Sequence, residues 1–304
     1  MKWNRRKFLA TSSLALAAGA LRTVPVLGQA PTATGTFTEL RNGVGYFLGR
    51  GATIGWAVTP DALVVVDTQF PDTAQLCLQG LEQRSTRRID AVINTHHHGD
   101  HIGGNAVFQP NADMIVAHER VPGLQRAQAE AAGAAAPPQA YADTTFGDRW
   151  RQSFGDITMS AWHYGPGHTG GDAVVLFEEA NVAHLGDLCY NQRHANIDIP
   201  AGASARGWVS VLEKTAAELN NDTIFLSGHS KAGLDPVMSM SDVLQFRDYL
   251  TAVLEHIERG LASGQSKAEM AAVDVLPGFE NFGSVPPRFT LGTFIEKVVD
   301  ELSA

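Results

Sequence analysis

Ile89-Asp-Ala-Val-Ile-Asn-Thr95 runs straight into His96-His97-His98-Gly99-Asp100-His101. The first seven residues are an apolar, β-branched run of strand length, which places the next six on the loop leaving a buried strand. That loop reads H-x-H-x-D-H and carries enough donors to begin two adjacent metal sites. Side chains two apart in an extended segment point the same way, so His96 and His98 can hold one cation, with His97 turned away. A turn at Gly99 then re-aims Asp100 and His101 towards a second cation. Neutral imidazole with carboxylate suits Zn²⁺ best among the common divalent ions, and iron and manganese accept the same set. The spacing is not that of H-E-x-x-H, in which two histidines share a helix face.

Three downstream stretches repeat the theme: Gly165-Pro-Gly-His168-Thr-Gly-Gly-Asp172, Leu185-Gly-Asp187 and Ile224-Phe-Leu-Ser-Gly-His229. Each puts a His or an acid where a strand stops beside glycine, the position from which loops of layered α/β proteins present chemistry. From about Gly43 to His229 the chain resembles the metallo-β-lactamase superfamily, whose signature is H-x-H-x-D-H followed at long spacing by a His, an Asp or Cys, and a final His. The resemblance implies that His96, His98 and His168 bind one metal, and that Asp100, His101 and His229 bind a second. It puts Asp187 in the bridging position and Asp67, which ends Leu63-Val-Val-Val-Asp67, behind the ligand loop as its support. It further implies two Zn²⁺ per chain and an α/β architecture, a four-layer αβ/βα sandwich with the metals along one edge. The final ligand lies in Ser-Gly-His-Ser rather than the commoner Pro-Gly-His-Gly. An Asp at position 187, where one large branch of true metallo-β-lactamases has Cys, looks more like glyoxalase II, lactonases and phosphodiesterases.

The chain begins with a basic stretch, Asn4-Arg5-Arg6-Lys7-Phe8-Leu9, and a mild apolar run to about Ala20. It resembles a twin-arginine export signal, and the run is too short and too polar for a comfortable membrane span. Residues 1–30 are therefore expected to be an export signal read by the twin-arginine machinery, and 31–304 a single mature domain in the periplasm or outside the cell, with no stable span after cleavage. Loss of Lys2, Arg5, Arg6, Lys7 and Arg22 moves the formal balance of −9 to −14. Such a chain repels nucleic acid, which leaves a small molecule as the substrate. Two cysteines, Cys77 and Cys189, exclude a dense disulfide framework and read as small buried residues.

Strands are expected at Gly55–Val58, Leu63–Val66, Ile89–Thr95, Met114–Ala117, Ile157–Tyr164, Ala173–Phe177, Asn181–Leu185 and Thr223–Leu226, with helices at Thr73–Arg84 and Ser204–Leu219. The alanine-rich stretch Ala127–Ala136 extends a helix from Glu119 and is a candidate lid. The tail, about 235–304, reads as helical, clearest at Asp242–Ala262 and Leu291–Leu302, and it allows a homo-oligomer surface. His118, His163 and His184 read as hydrogen-bonded structural residues. Asn191, Arg193 and His194, in the loop behind Asp187, are candidate substrate contacts.

Two divalent ions about 3.5 to 4 Å apart share a water and bring its pKa towards neutrality, and Asp100 orients the resulting hydroxide. The expected activity is binuclear zinc-dependent hydrolysis of a small ester, lactone, thioester or amide, with β-lactams within its reach. The alternatives are a mononuclear Fe²⁺ enzyme resembling persulfide dioxygenases and an accessory metal-binding protein of a periplasmic quinoprotein system.

Overall fold

In the computed structural model the described residues are 34–303, and the expected export segment, 1–30, lies outside them. The chain opens with β1 (Thr36–Arg41), β2 (Val44–Leu48), β3 (Thr53–Val58), β4 (Leu63–Val66), α1 (Pro71–Glu82) and β5 (Ala91–Ile93). The short helices α2 (Gly99–Ile102) and α3 (Asn105–Phe108), then β6 (Ile115–His118), α4 (Val121–Ala132) and β7 (Thr144–Phe146), complete the first half. The second half holds β8 (Arg149–Phe154), β9 (Ile157–Trp162), β10 (Val174–Phe177), β11 (Val182–His184), β12 (Tyr190–Asn191), α5 (Ala205–Glu218), β13 (Ile224–Leu226), β14 (His229–Ser230) and β15 (Val237–Met238). Three helices finish the chain: α6 (Met240–Ala262), α7 (Lys267–Ala271) and α8 (Leu291–Ser303).

Among the described residues one large sheet runs β1 to β7 in chain order, a second runs β15-β13-β11-β10-β9-β8, and β12 and β14 form a separate pair. Alternation along each strand decides the layering. In β4, Val64 and Val66 turn inward to meet Met159, Val175 and Phe177 of the other sheet. Leu63 and Val65 turn outward onto Ala74, Cys77 and Leu81 of α1. A period of two therefore serves two cores from one strand. The outer face of the second sheet is covered in the same way, with Trp162, Val174 and Phe225 under Trp208, Phe246, Tyr249 and Phe294 of α5, α6 and α8. Helix, sheet, sheet, helix is the four-layer αβ/βα sandwich. Each fully buried Val, Leu or Phe contributes about 1.5–3 kcal/mol, so the three cores carry the fold.

Parallel pairing of β4 with β5 and of β11 with β13 brings four strand ends to one edge of the sandwich. Backbone hydrogen bonds clamp the sheets together at that edge: Ala173 N donates to Thr95 O (2.8 Å), and Thr53 N to Gly228 O (2.9 Å). The strand expected over Ile89–Thr95 is shorter, because Asn94 and Thr95 already belong to the loop. The helix expected from Glu119 starts at Val121 and stops at Ala132, where Gly133 turns to φ +55°. The tail supplies α6 to α8, and α6 is closed at its start by a capping box between Ser239 and Asp242.

Candidate metal centre

β5 ends at Ile93, and the chain bends through His96 and His97 to His98, whose extended backbone (φ −67°, ψ 143°) opens α2. One helical turn then carries Asp100 and His101 round to a second direction. Gly99 is not required for this turn. Its φ lies outside the left-handed region, and a Cβ there would meet nothing within 4 Å. The glycines with no room to spare are elsewhere, above all Gly228, whose added Cβ would overlap Asp187 Oδ1.

The expected ligands converge. His96 Nε2 lies 3.2 Å and His168 Nε2 2.9 Å from His98 Nδ1. Asp100 Oδ2 lies 3.1 Å from His229 Nε2, and His101 joins this second group within 4.8 Å. Asp187 reaches both groups: Oδ1 is 3.0 Å from His101 Nε2 and 3.5 Å from His229 Nε2, and Oδ2 is 3.5 Å from His168 Nε2.

Each imidazole of the first group, and His101 of the second, has its far nitrogen engaged. Asp67 Oδ2 accepts from His101 Nδ1 at 2.7 Å, Asp198 Oδ2 from His98 Nε2 at 2.8 Å, and the Asn196 carbonyl from His168 Nδ1 at 2.8 Å. Thr95 Oγ1 donates to Asp67 and so accepts from His96 Nδ1 at 3.1 Å. These partners fix the tautomers, leaving lone pairs on the nitrogens that face one another. Asp67 reaches its place from a left-handed backbone (φ +62°), and Gln69 is left-handed too. The strain is held by Thr68 N and Gln69 N, which both donate to the His101 carbonyl.

These residues fit a divalent cation. Two buried atoms, His101 Nε2 and Asp187 Oδ1, have no hydrogen-bond partner despite their proximity. Three facing imidazole lone pairs repel one another until a cation lies between them, and their 2.9–3.2 Å separations match the roughly 3.3 Å edge of a tetrahedral zinc site. Burial keeps His96 neutral and pushes His168 down to about 3, the state in which imidazole binds metal. Burial also opposes charge on His101, but Asp187 and Asp67 outweigh it and hold its proton well above the usual range. Asp187 and Asp100 are held low, against burial, by the surrounding histidines. The pocket calls for positive charge.

The three residues expected behind Asp187 part company. Asn191 spends its amide on the Asp235 carbonyl (2.8 Å). His194 does not reach the cleft: it is 2% exposed, bonded to the Tyr249 hydroxyl and packed beside Phe282. Arg193 is half-buried with its guanidinium over Phe289. His97 turns from the first group towards Asp198, at 3.6 Å. Sequence reading missed Asp198 and Tyr190. Tyr190 is buried, stacked on His229, and hydrogen-bonded to Asp187. An isolated acid inside the apolar run Ile197–Ile199 is the signal that marks Asp198, whereas nothing in Leu188-Cys-Tyr190 separates this tyrosine from a core residue. Cys77 and Cys189 are both buried, and burial raises both thiols.

Residues 49–229 match the profile of the metallo-beta-lactamase superfamily, more than half of the chain. A type 2 metallo-beta-lactamase of Bacillus sp. strain 170 is 26% identical over 194 residues, 62% of this chain and 72% of its own. A probable metallo-hydrolase of Methanocaldococcus jannaschii is 25% identical over 201 residues, 63% of this chain and 92% of its own. Among solved structures, the sec-alkylsulfatase Pisa1 from Pseudomonas sp. matches with a TM-score of 0.67 at 16% identity, over 87% of this chain and 50% of its own. A metallo-beta-lactamase from Pontibacter korlensis matches at 0.59 and 18% identity, over 72% and 99%. The chain spans half the length of the sulfatase, and at these identities the structural likeness shows fold alone. The matched segment ends on His229 and contains every converging ligand, so the chain belongs to the metallo-beta-lactamase superfamily and is a metal-dependent hydrolase.

Proposed function

We propose that the protein is an exported binuclear zinc hydrolase of a small ester, lactone, thioester or amide. The observation that carries this reading is the pair of donor groups flanking Asp187. His96 Nε2, His98 Nδ1 and His168 Nε2 would hold one cation, and Asp100, His101 and His229 the other, with Asp187 shared. Bound there, divalent cations would supply Lewis acidity and a water acidified to near neutrality. The likeness of Asn4–Leu9 to a twin-arginine export signal supports a location in the periplasm or outside the cell.

The residues divide the remaining work. Asp100 is the ligand acid open to solvent, 30% exposed against 6% for Asp187. Its carboxylate is held ionised by His229 and His101 against burial, so it can accept a hydrogen bond from attacking water and orient it. Asp67, Asp198, Thr95 and the Asn196 carbonyl keep four imidazoles in the orientation that presents lone pairs inward. That rigidity avoids reorganisation as charge develops on the substrate.

Metal content of the purified protein, with a hydrolysis screen over esters, lactones, thioesters and β-lactams, tests the proposal. Close to two zinc ions per chain and turnover of one class are expected. One iron per chain with no hydrolysis would reject it in favour of oxygen-dependent chemistry.

A further inference from the structure

His97 is a buried imidazole that no hydrogen bond accounts for. It is 3% exposed, its Nδ1 has no partner among the described residues, and its Nε2 lies 3.6 Å from Asp198 Oδ2, beyond hydrogen-bond reach. A polar ring taken out of water without a partner costs free energy, and such groups mark places where an ion or a water belongs.

The same carboxylate oxygen faces a second imidazole. Asp198 Oδ2 accepts from His98 Nε2 at 2.8 Å, and donor atoms of His97, His98 and Asp198 all lie within 4.8 Å of one another. The two imidazole-to-carboxylate separations bracket the roughly 3.3 Å edge of a tetrahedral zinc site. This trio stands behind the first ligand group, because His98 turns Nδ1 towards His96 and His168 and Nε2 towards Asp198. It also has its own way to solvent. Asp198 is 24% exposed and lines a cavity of about 550 Å³ with Ile197, Ile199, Pro200 and Lys297, none of them a donor of the two groups already described. His97 is the free position within H-x-H-x-D-H, and Asp198 lies outside the signature altogether.

We infer that His97 Nε2, Asp198 and His98 Nε2 form a third cation site, which takes zinc or another divalent transition-metal ion after the other two sites are filled. The site goes beyond the binuclear reading and shares His98 with it. Two imidazoles and a carboxylate leave a fourth position for water. On binding, the ion replaces the proton of His98 Nε2, which passes to solvent, and the ring becomes an imidazolate that faces one cation with each nitrogen. The dication, the Asp198 carboxylate and the imidazolate then sum to zero, so no net charge is added to a largely buried place. The new bonds hold His98 in the orientation that Asp198 already gives it, and the first group survives occupation.

For the test, protein saturated with zinc and freed of excess is titrated with more zinc, read by native mass and by calorimetry in two buffers of different protonation enthalpy. One further equivalent, bound more weakly and releasing one proton, is expected. His97→Phe keeps a buried ring and removes the donor, so it should lose that equivalent while keeping the tightly held ions and the Tm. No further equivalent in the wild type, one that releases no proton, or one retained in His97→Phe overturns the inference. The difference between the two proteins stands apart from the binuclear reading: a wild type with one tight ion sinks that reading, and loss of an equivalent in His97→Phe still supports this site. Should the variant not fold, paramagnetic resonance of one equivalent of Cu²⁺ on the zinc-saturated wild type decides, with coupling to two imidazoles in support and to fewer against.

Discussion

The Tyr190 hydroxyl donates to Asp187 Oδ2 at 2.6 Å, and in doing so leaves Oδ1 as the unpaired oxygen turned towards His101 and His229. Both residues are buried, and β12 pairs Tyr190 with His229 in the neighbouring strand, so a phenol and a carboxylate from one short segment are locked against a ligand from another. Tyr190→Phe keeps the ring and its stacking but removes the donor. The freed carboxylate can rotate, and the Asp100, His101, His229 group loses its best-placed neighbour. On the proposed two-metal reading, titration of the metal-free variant against a competing chelator should show the step that fills the Asp100, His101, His229 group reduced about 10- to 100-fold, with the other step less changed. Equal loss in both steps would mean that Tyr190 only stabilises the fold.

Asp198 plays the corresponding part for the first group. It accepts from His98 Nε2, and its own N–H donates to the His168 carbonyl, so one residue braces two ligands. His97, close beside it, and the hydrogen bond from His98 hold its carboxyl well below the usual range. Asp198→Ala should leave His98 free to change tautomer and lower the zinc affinity of the His96, His98, His168 group about 10- to 100-fold. Asp198→Asn, which retains an acceptor, should lose much less. Zinc retained per chain after graded chelator dialysis checks both, and wild-type retention in Asp198→Ala would remove the bracing role.

Gly228 is fixed by what surrounds it. Its N–H donates to Gly186 O at 2.7 Å and its carbonyl accepts from Thr53 N. A Cβ would overlap Asp187 Oδ1 and come within 2.8 Å of the Gly186 carbonyl carbon. Gly228→Ala must therefore displace either Asp187 or the 186 turn. Overpacking of this kind costs about 1–3 kcal/mol. The variant should melt lower than wild type and bind fewer than two metals, whereas unchanged Tm and stoichiometry would show that the turn yields freely.

The converging donor cluster was legible from the chain because metal binding demands particular atoms, and His96, His98, Asp100, His101, His168, Asp187 and His229 follow the ends of apolar runs. The inner strands were legible for a similar reason, since β4 and β10 are buried on both faces and read as continuous apolar segments. β1 and β8 are half-exposed, with Thr36-Phe-Thr-Glu-Leu-Arg41 and Arg149-Trp-Arg-Gln-Ser-Phe154 too polar to stand out. β12 and β14 are two residues each and exist only because the chain returns past Asp187, a consequence of tertiary pairing. Asp198 and Asn196 support the ligands through contacts 100 and 28 residues away in sequence, a distance that no local pattern encodes. His194 looked like a cleft residue from its spacing, but Phe282 and α6 enclose it.

His118 and His163 stack at 3.8 Å between ring centres, at the ends of β6 and β9. Burial, then His163 and Arg120, pushes His118 down to about 4, and burial lowers His163 as well. The fold therefore prefers these imidazoles neutral, while the unfolded chain protonates them near 6.5. As pH falls from 6.5 towards 4, the unfolded state binds more protons and the folded state loses stability; above 6.5 the contribution is complete and flat. For His118 alone the loss by pH 5 is on the order of 2 kcal/mol. His118→Gln removes this titration, so its Tm should fall less between pH 7.5 and pH 5 than that of the wild type, each measured with zinc in excess to hold the metal centre constant. A variant with the full acid slope would assign that sensitivity to the metal ligands rather than to the stacked pair.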